Sequence, residues 1–336
     1  MKTWIRLLLA IAMVSLAGCG GPTNDGQRLT GGNDLDSGGT IGISVQTLTN
    51  PFFKVIADTV TEEAAQHGYE VLIRDAQQKI ENQKDQVDEF IVKEVDAIIL
   101  CPRDTKAIGP VIRTANDAGI PVFTVDTVCE DPKAKVTFHV GTDNVQGGHV
   151  AGKAMIDSLG AAGGKIALLD FKRVDSCLDR VKGFTAEIDK YNETAANKIK
   201  IAIQLNCNGD KEHGMSAARE AMQAHSDLVG MFAINDPGAL GARAAVEAEG
   251  KEDEIVIVGF DGQPEAKEAI RDGKLFDSPA QFPDKMAVEV VAAIVRYFDG
   301  EEIEPHMLIK TTPYRKEDAI NDPNLSNAAA VEETTE

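Results

Sequence analysis

The chain has 336 residues, with 34 Lys or Arg against 54 Asp or Glu, for a formal net charge of −20 at pH 7. That balance argues against a nucleic-acid partner, whose phosphates an acidic surface repels, and it favours solubility. The length allows two domains at roughly 100 to 200 residues each.

The first stretch, MKTWIRLLLAIAMVSLAGCG, sets Lys2 and Arg6 ahead of an apolar run from Leu7 to Ala17. The run is shorter than the roughly 20 apolar residues that span a bilayer, so residues 1–18 read as an export leader. The tetrad Leu16-Ala17-Gly18-Cys19 resembles the lipobox of bacterial lipoproteins, which implies cleavage before Cys19 and lipidation of that residue. An ordinary leader with an incidental cysteine is the plainer alternative. Residues 19–38 are rich in Gly, Asn, Asp and Ser and poor in apolar side chains, the composition of a flexible tether. Residues 323–336 read as a disordered acidic tail. The expected location is the periplasm or cell surface, with a lipid anchor in a bacterial membrane.

From Thr40 to about Thr311 short β-branched runs alternate with longer amphipathic ones. The strand candidates are TIGISV, EVLIRD, DAIILC, PVFTVD and VTFHVGTD, then KIALLD, KIAIQL, LVGMFAIN, EIVIVGF and FDSPAQ. Between them, Val87, Phe90 and Ile91 recur at helical spacing and Val95 continues the face. Alternating β and α units predict parallel sheets covered by helices on both faces. Two sets of strands predict an α/β protein of two similar lobes, with a closed eight-stranded α/β barrel as the competing architecture. Polar and glycine residues collect where the strands end, in SVQTLTNPFF, CPRDTKAIG, VDTVCED, DFKRVDSCLDR, LNCNGDKEHG, INDPGALG and GFDGQPEA. Open α/β folds build their sites from such loops.

Asn50-Pro51 is a helix start, with Asn as cap and Pro at the first helical position. It places Phe52 and Phe53 in the first turn. Consecutive helical residues point about 100° apart, so core packing of both rings and a ligand-stacking role for one remain open.

No catalytic motif stands out. The chain lacks G-x-S-x-G, H-E-x-x-H, a P-loop and a dinucleotide fingerprint. Its histidines, His67, His139, His149, His213, His225 and His306, show no metal-ligand spacing. Asp126 and Asp261 at strand ends are the one conceivable acid and base pair, with no nucleophile nearby, so neither enzymatic activity nor a cofactor is expected. What recurs is the complement of a neutral polyol: rings for its C–H face, and Asp, Asn, Gln and Arg for its hydroxyl rim. Phe52 and Phe53 supply rings; Asn50, Asp126, Arg180, Asn235, Asp261 and Gln281 supply the rim.

The stretches TLTNPFFKVIADTVTEEAAQHGYEV, IPVFTVD, VGTDNVQGGHVAGKAM, MFAINDPGALGARAAVEAEG, VIVGFDGQPEAKEAIRDGKL and PAQFPDKMAVEVV together resemble the ribose-binding family of type I periplasmic sugar-binding proteins of ABC importers. The resemblance runs colinearly over about residues 38–320. It implies two Rossmann-like lobes joined by a three-strand hinge, with crossings near Asp143, Gln281 and Lys310. The first lobe would comprise 39–142 plus 282–310, and the second 143–281 plus 311–322. By position Asn50, Phe52 and Phe53 match the family's first ligand loop. Asp126 matches its hydroxyl acceptor, Arg180 its donor, and Asn235, Asp261 and Gln281 its remaining contacts.

Three departures mark this chain. Thr127 stands where the family has an arginine fork, Gln46 replaces a small serine, and LNCNGDKEHG offers Asn206 or Asn208 instead of the second lobe's ring. The implied ligand is a neutral sugar or polyol, with ribose only one candidate. The family's sheet order also implies that Cys101 neighbours Cys129 and that Cys177 neighbours Cys207, as two disulfides or as buried free thiols. The resemblance further implies a monomeric capture protein partnered by a membrane permease. A sensory protein that presents sugar to a chemoreceptor or kinase is the alternative.

Overall fold

The computed structural model describes residues 38–325. The leader, Cys19 with the tether up to residue 37, and residues 326–336 lie outside the described residues.

The chain opens with β1 (Thr40–Val45), α1 (Pro51–Gln66), β2 (Glu70–Asp75), α2 (Ile80–Val92), β3 (Ala97–Leu100), α3 (Gly109–Asp117), β4 (Val122–Val125) and β5 (Phe138–Thr142). Asn50 caps α1: its backbone is extended, its side-chain oxygen accepts from the Phe52 N–H, and Pro51 occupies the first turn. Strand β3 shows why these runs are apolar throughout. Ala97 and Ile99 pack into a cluster with α1, whereas Ile98 and Leu100 pack into a second cluster with α2 and α3. Side chains alternate across the sheet, and helices cover both faces, so every position of the strand is buried.

The second half runs α4 (Asn144–Leu159), a 3-10 turn, β6 (Gly164–Asp170), α5 (Asp175–Thr194), β7 (Ile199–Asn206), α6 (Lys211–Ala224), β8 (Leu228–Ala233), α7 (Asp236–Ala248), β9 (Val256–Val258), α8 (Pro264–Arg271), α9 (Pro283–Phe298), β10 (His306–Ile309) and α10 (Lys316–Asn321). Two open parallel sheets result, in the orders β10-β5-β4-β3-β1-β2 and β7-β6-β8-β9. The barrel is excluded. In each lobe the first strand sits between the second and the third, so a topological switch point opens at the carboxyl ends of β1 and β3 and again at those of β6 and β8.

Three details differ from the sequence expectation. Residues 276–281 form only isolated bridges, Val258 to Asp277 and Asp261 to Ala280, because Pro279 has no N–H to offer a ladder. HMLI, unmarked in the sequence, is β10, a four-residue edge strand paired only with β5. The tail does not begin at 323: Leu325 is buried in the core of the second lobe with Tyr314 and Ala319.

The chain passes between the sheets three times, and the crossings bond to one another. Asp143 N–H donates to the Ile309 carbonyl at 2.9 Å, and Ala280 N–H to the Thr312 carbonyl at 2.7 Å. The Gln146 side-chain oxygen accepts from the Thr311 N–H at 3.0 Å and from its hydroxyl at 3.1 Å. Helix α9 returns to the first core through Met286, Val290 and Ile294.

Helices α4 and α5 cross at glycines. A methyl on Gly148 would stand 2.2 Å from the Arg180 carbonyl oxygen, and one on Gly183 would stand 2.0 Å from that of Val145. Backbone thus touches backbone, which fixes where α5 presents Arg180. Gly183→Ala is expected to destabilise the protein by about 1–3 kcal/mol, read as a lower urea midpoint. An unchanged midpoint would show that the helices do not approach this closely.

Candidate ligand-binding cleft

The carboxyl ends of both sheets face one cleft. An inner space of about 80 Å³ is lined from the first lobe by Gln46, Asn50, Phe52, Phe53 and Asp126, and from the second by Arg180, Asn208, Asn235 and Asp261, with Gln281 at a crossing. It opens to a mouth of about 800 Å³ that shares Asn50, Arg103, Phe171 and Asn208 with the inner space.

The floor is a buried ion pair. Arg180 and Asp261 are each about 5% exposed at the side chain and meet at 3.1 Å. Arg180 also donates from Nε to Asn144 Oδ1 at 2.8 Å and from Nη1 to the Ile234 carbonyl at 2.8 Å, and it stacks on Phe260 at 4.0 Å. Its Nη2 makes no bond among the described residues, and Arg180 lines the cleft. On Asp261 converge Arg180, Gln281 Nε2 at 2.5 Å and Gln263 Nε2 at 3.1 Å. Burial pushes its carboxyl pKa up, and Arg180 and the bonds from Gln281 and Gln263 oppose that shift. Asp261 holds a φ of 120°, a conformation side chains rarely adopt, so the surrounding bonds force it into place. Behind it, burial and the nearby Asp261 raise Asp236 well above the usual carboxylate range. Asp236 accepts from the Gln263 N–H at 2.7 Å and the Ser278 hydroxyl at 2.6 Å.

On the opposite wall, Phe52 and Phe53 meet edge to face at 5.3 Å. Both rings belong to the first core and both line the cleft, so the two readings of the sequence are not exclusive. Asp126 ends β4 with a φ of 68°. It is 8% exposed, and its partner is the Thr127 hydroxyl at 3.1 Å. Burial outweighs the pull of Arg180 and raises its pKa to about 6. Thr127 is the one expected contact that does not line the cleft: it is 1% exposed, sits behind Asp126 and accepts from Gln46 Nε2 at 3.2 Å. The Gln46 amide also donates to the Pro102 carbonyl at 2.8 Å.

Several amides at the cleft hold its own loops. Asn235 caps α7, accepting from the Gly238 N–H at 3.0 Å and donating to the Gly209 carbonyl at 2.8 Å. Gln281 accepts from the Thr142 hydroxyl at 2.6 Å while donating to Asp261. Asn50 Oδ1 accepts both from its own helix and, at 3.0 Å, from Gln263 Nε2 of the facing lobe. Asn208 sits at a φ of 49° and accepts from Asn206 Nδ2 at 2.7 Å.

Sequence reasoning missed Gln78, Arg103, Phe171 and Ser176. The ring of the second lobe, sought after β7, comes instead from Phe171 after β6. Arg103, after β3, stands over it at 4.9 Å. The quoted loops CPRDTKAIG and DFKRVDSCLDR contained both, and a lone Arg and a lone Phe in a loop form no pattern.

Among the described residues Cys101, Cys129, Cys177 and Cys207 are all free thiols, the second of the two alternatives the sequence left open, with Cys129 only partly buried. Cys101 packs into the cluster on the α1 face of the first sheet and Cys129 against the cluster on the opposite face, so the sheet separates them. Cys177 and Cys207 share the second core, and burial pushes each thiol up to about 12.

Two hinged α/β lobes with a polar, ring-bearing cleft between them define a solute-binding protein of the type I periplasmic fold. The chain belongs to the periplasmic binding protein domain family, whose pattern it matches over residues 41–302. It is 33% identical to the ribose import binding protein of Bacillus subtilis (strain 168) over 300 residues, covering 88% of this chain and 94% of that protein. It is 32% identical to the ribose import binding protein of Escherichia coli (strain K12) over 265 residues, covering 79% and 86%. Among solved structures, an ABC transporter periplasmic solute-binding protein of Actinobacillus succinogenes 130z with bound D-allose superposes with a TM-score of 0.78 at 27% identity, over 84% of this chain and 100% of that one. One from Bacillus halodurans C-125 with bound myo-inositol gives 0.77 at 29%, over 85% and 98%.

Asp126 sets a pH dependence. A carboxylate accepts from hydroxyls best when ionised, and this one is protonated below about 6. Ligand affinity is therefore expected to hold above that pH and to fall as pH drops through it, approaching about tenfold per unit. Asp126→Asn should bind weakly and lose this step in a plot of Kd against pH.

Proposed function

We propose that this protein is the extracytoplasmic solute-binding component of an ABC importer, tethered by lipid at Cys19, and that it captures a neutral monosaccharide or polyol between its lobes. The observation that carries this reading is the composition of the cleft lining. Its charged side chains are two carboxylates, Asp126 and Asp261, and two guanidinium groups, Arg103 and Arg180. These formally cancel, so the site meets an uncharged ligand. Around them stand the rings of Phe52, Phe53 and Phe171 and the amides of Gln46, Asn50 and Asn208. Rings suit the C–H face of a sugar; acceptors, donors and amides suit hydroxyls, which are both. The names of the relatives point the same way, through ribose, D-allose and myo-inositol.

Capture follows from the hinge. The sugar settles on one lobe and contacts from the other favour closure, so the ligand shifts the population by its preference for the closed form. Gln263 Nε2 on Asn50 Oδ1 is a bond that exists only when the lobes meet. The permease then recognises the closed form and no bond in the sugar changes. The body spanning residues 38–325 should show a raised melting midpoint with one neutral sugar in a panel of pentoses, hexoses, polyols and sugar phosphates. At about 100 times its Kd a ligand adds about 2.7 kcal/mol. A shift confined to the phosphorylated compounds, or none with any compound, contradicts the reading.

A further inference from the structure

Arg103 is a half-buried guanidinium with no acceptor among the described residues. Its backbone N–H is held by Gln83 Oε1 at 2.9 Å, and the carbonyl of the preceding Pro102 by Gln46 Nε2 at 2.8 Å, so the loop that carries it is fixed. Its side chain makes no hydrogen bond and no ion pair among the described residues, although it offers five N–H donors. It lines both the inner cleft and the mouth, and it stands 4.9 Å over the Phe171 ring of the facing lobe. Burial and the nearby Arg173 both weigh against its charge. A half-buried donor fork that faces the cleft without an acceptor among the described residues stays open to whatever acceptor enters, water or ligand.

The geometry points to Arg103 and Phe171 as a specificity-determining clasp: on closure the guanidinium donates to two adjacent oxygens at the outer end of the sugar while the Phe171 ring backs it from the other lobe. This rests on the sugar reading above and deepens it. The fork also states what the ligand must carry. Its end away from Asp126, Asp261 and Arg180 bears neighbouring oxygens at a spacing that one guanidinium spans.

The test is calorimetric titration of the full chain with D-ribose, D-allose and myo-inositol, and with monodeoxy analogues of whichever binds most tightly. Arg103→Met is expected to weaken binding about 10- to 100-fold, with the urea midpoint of the sugar-free protein unchanged. Arg103→Lys recovers only part of the loss, because a point charge does not replace a fork. At least one deoxy analogue that binds wild type poorly should lose that penalty on Arg103→Met, and Phe171→Leu should add little to Arg103→Met. An Arg103→Met variant that binds as wild type does, or whose weakening is matched by a lower sugar-free midpoint, overturns the clasp and leaves the sugar reading standing. Wild type that binds none of these and no other neutral pentose, hexose or polyol of the wider panel overturns both.

Discussion

An arginine buried in the floor of a cleft must find acceptors inside the protein, and Arg180 finds them on three separate elements. Asn144 opens α4, the Ile234 carbonyl follows β8, and Asp261 follows β9. Removing one member of such a buried pair leaves the other charged and unpaired, which typically costs about 3–5 kcal/mol. The floor therefore behaves as one unit. Asp261 in turn receives Gln281, which holds Thr142 at the first crossing, and Gln263, which reaches Asn50 on the facing lobe. A single run of hydrogen bonds thus joins the ligand floor, the hinge and the closing contact. A sugar hydroxyl that bonds to this floor is coupled to the relation between the lobes.

The remainder of the fold serves that placement. The glycine crossing of α4 and α5 brings Arg180 against α4, and the parallel sheets bring their carboxyl ends, with their loops, to one side of each lobe. Helix capping and the cleft lining then fall on the same residues. Asn50 and Asn235 are caps first, because an α/β loop that ends a strand must begin a helix. Their oxygens are occupied by backbone N–H groups, so what such a residue offers a ligand is what capping leaves over.

Much of this was legible in the sequence. β-branched runs bounded by Asn, Asp and Gly located nearly all the strands, and Asn-Pro-Phe-Phe announced both a helix start and a pair of rings. Local pattern failed where the outcome depends on which side of a loop faces inward. Thr127 follows a cleft-lining Asp126 yet turns behind it, since Asp126 at positive φ redirects the chain. Cys101 and Cys129 sit near each other in sheet order but on opposite faces. Arg103 and Phe171 are single residues in loops, joined only by the meeting of two lobes, which no window of sequence contains. Strand β10 is too short and too exposed to show a period, and Leu325 looked like part of a tail because a single apolar residue among Asn, Asp and Ser carries no periodicity.

Closure of the lobes on a sugar is the central claim, and small-angle X-ray scattering measures it directly. The body of residues 38–325 is compared alone and with a saturating neutral sugar chosen by calorimetry. Reversible capture predicts a larger radius of gyration without sugar and a smaller one with it, the latter matching the closed arrangement described above. The same radius in both conditions, with the sugar bound, would contradict it.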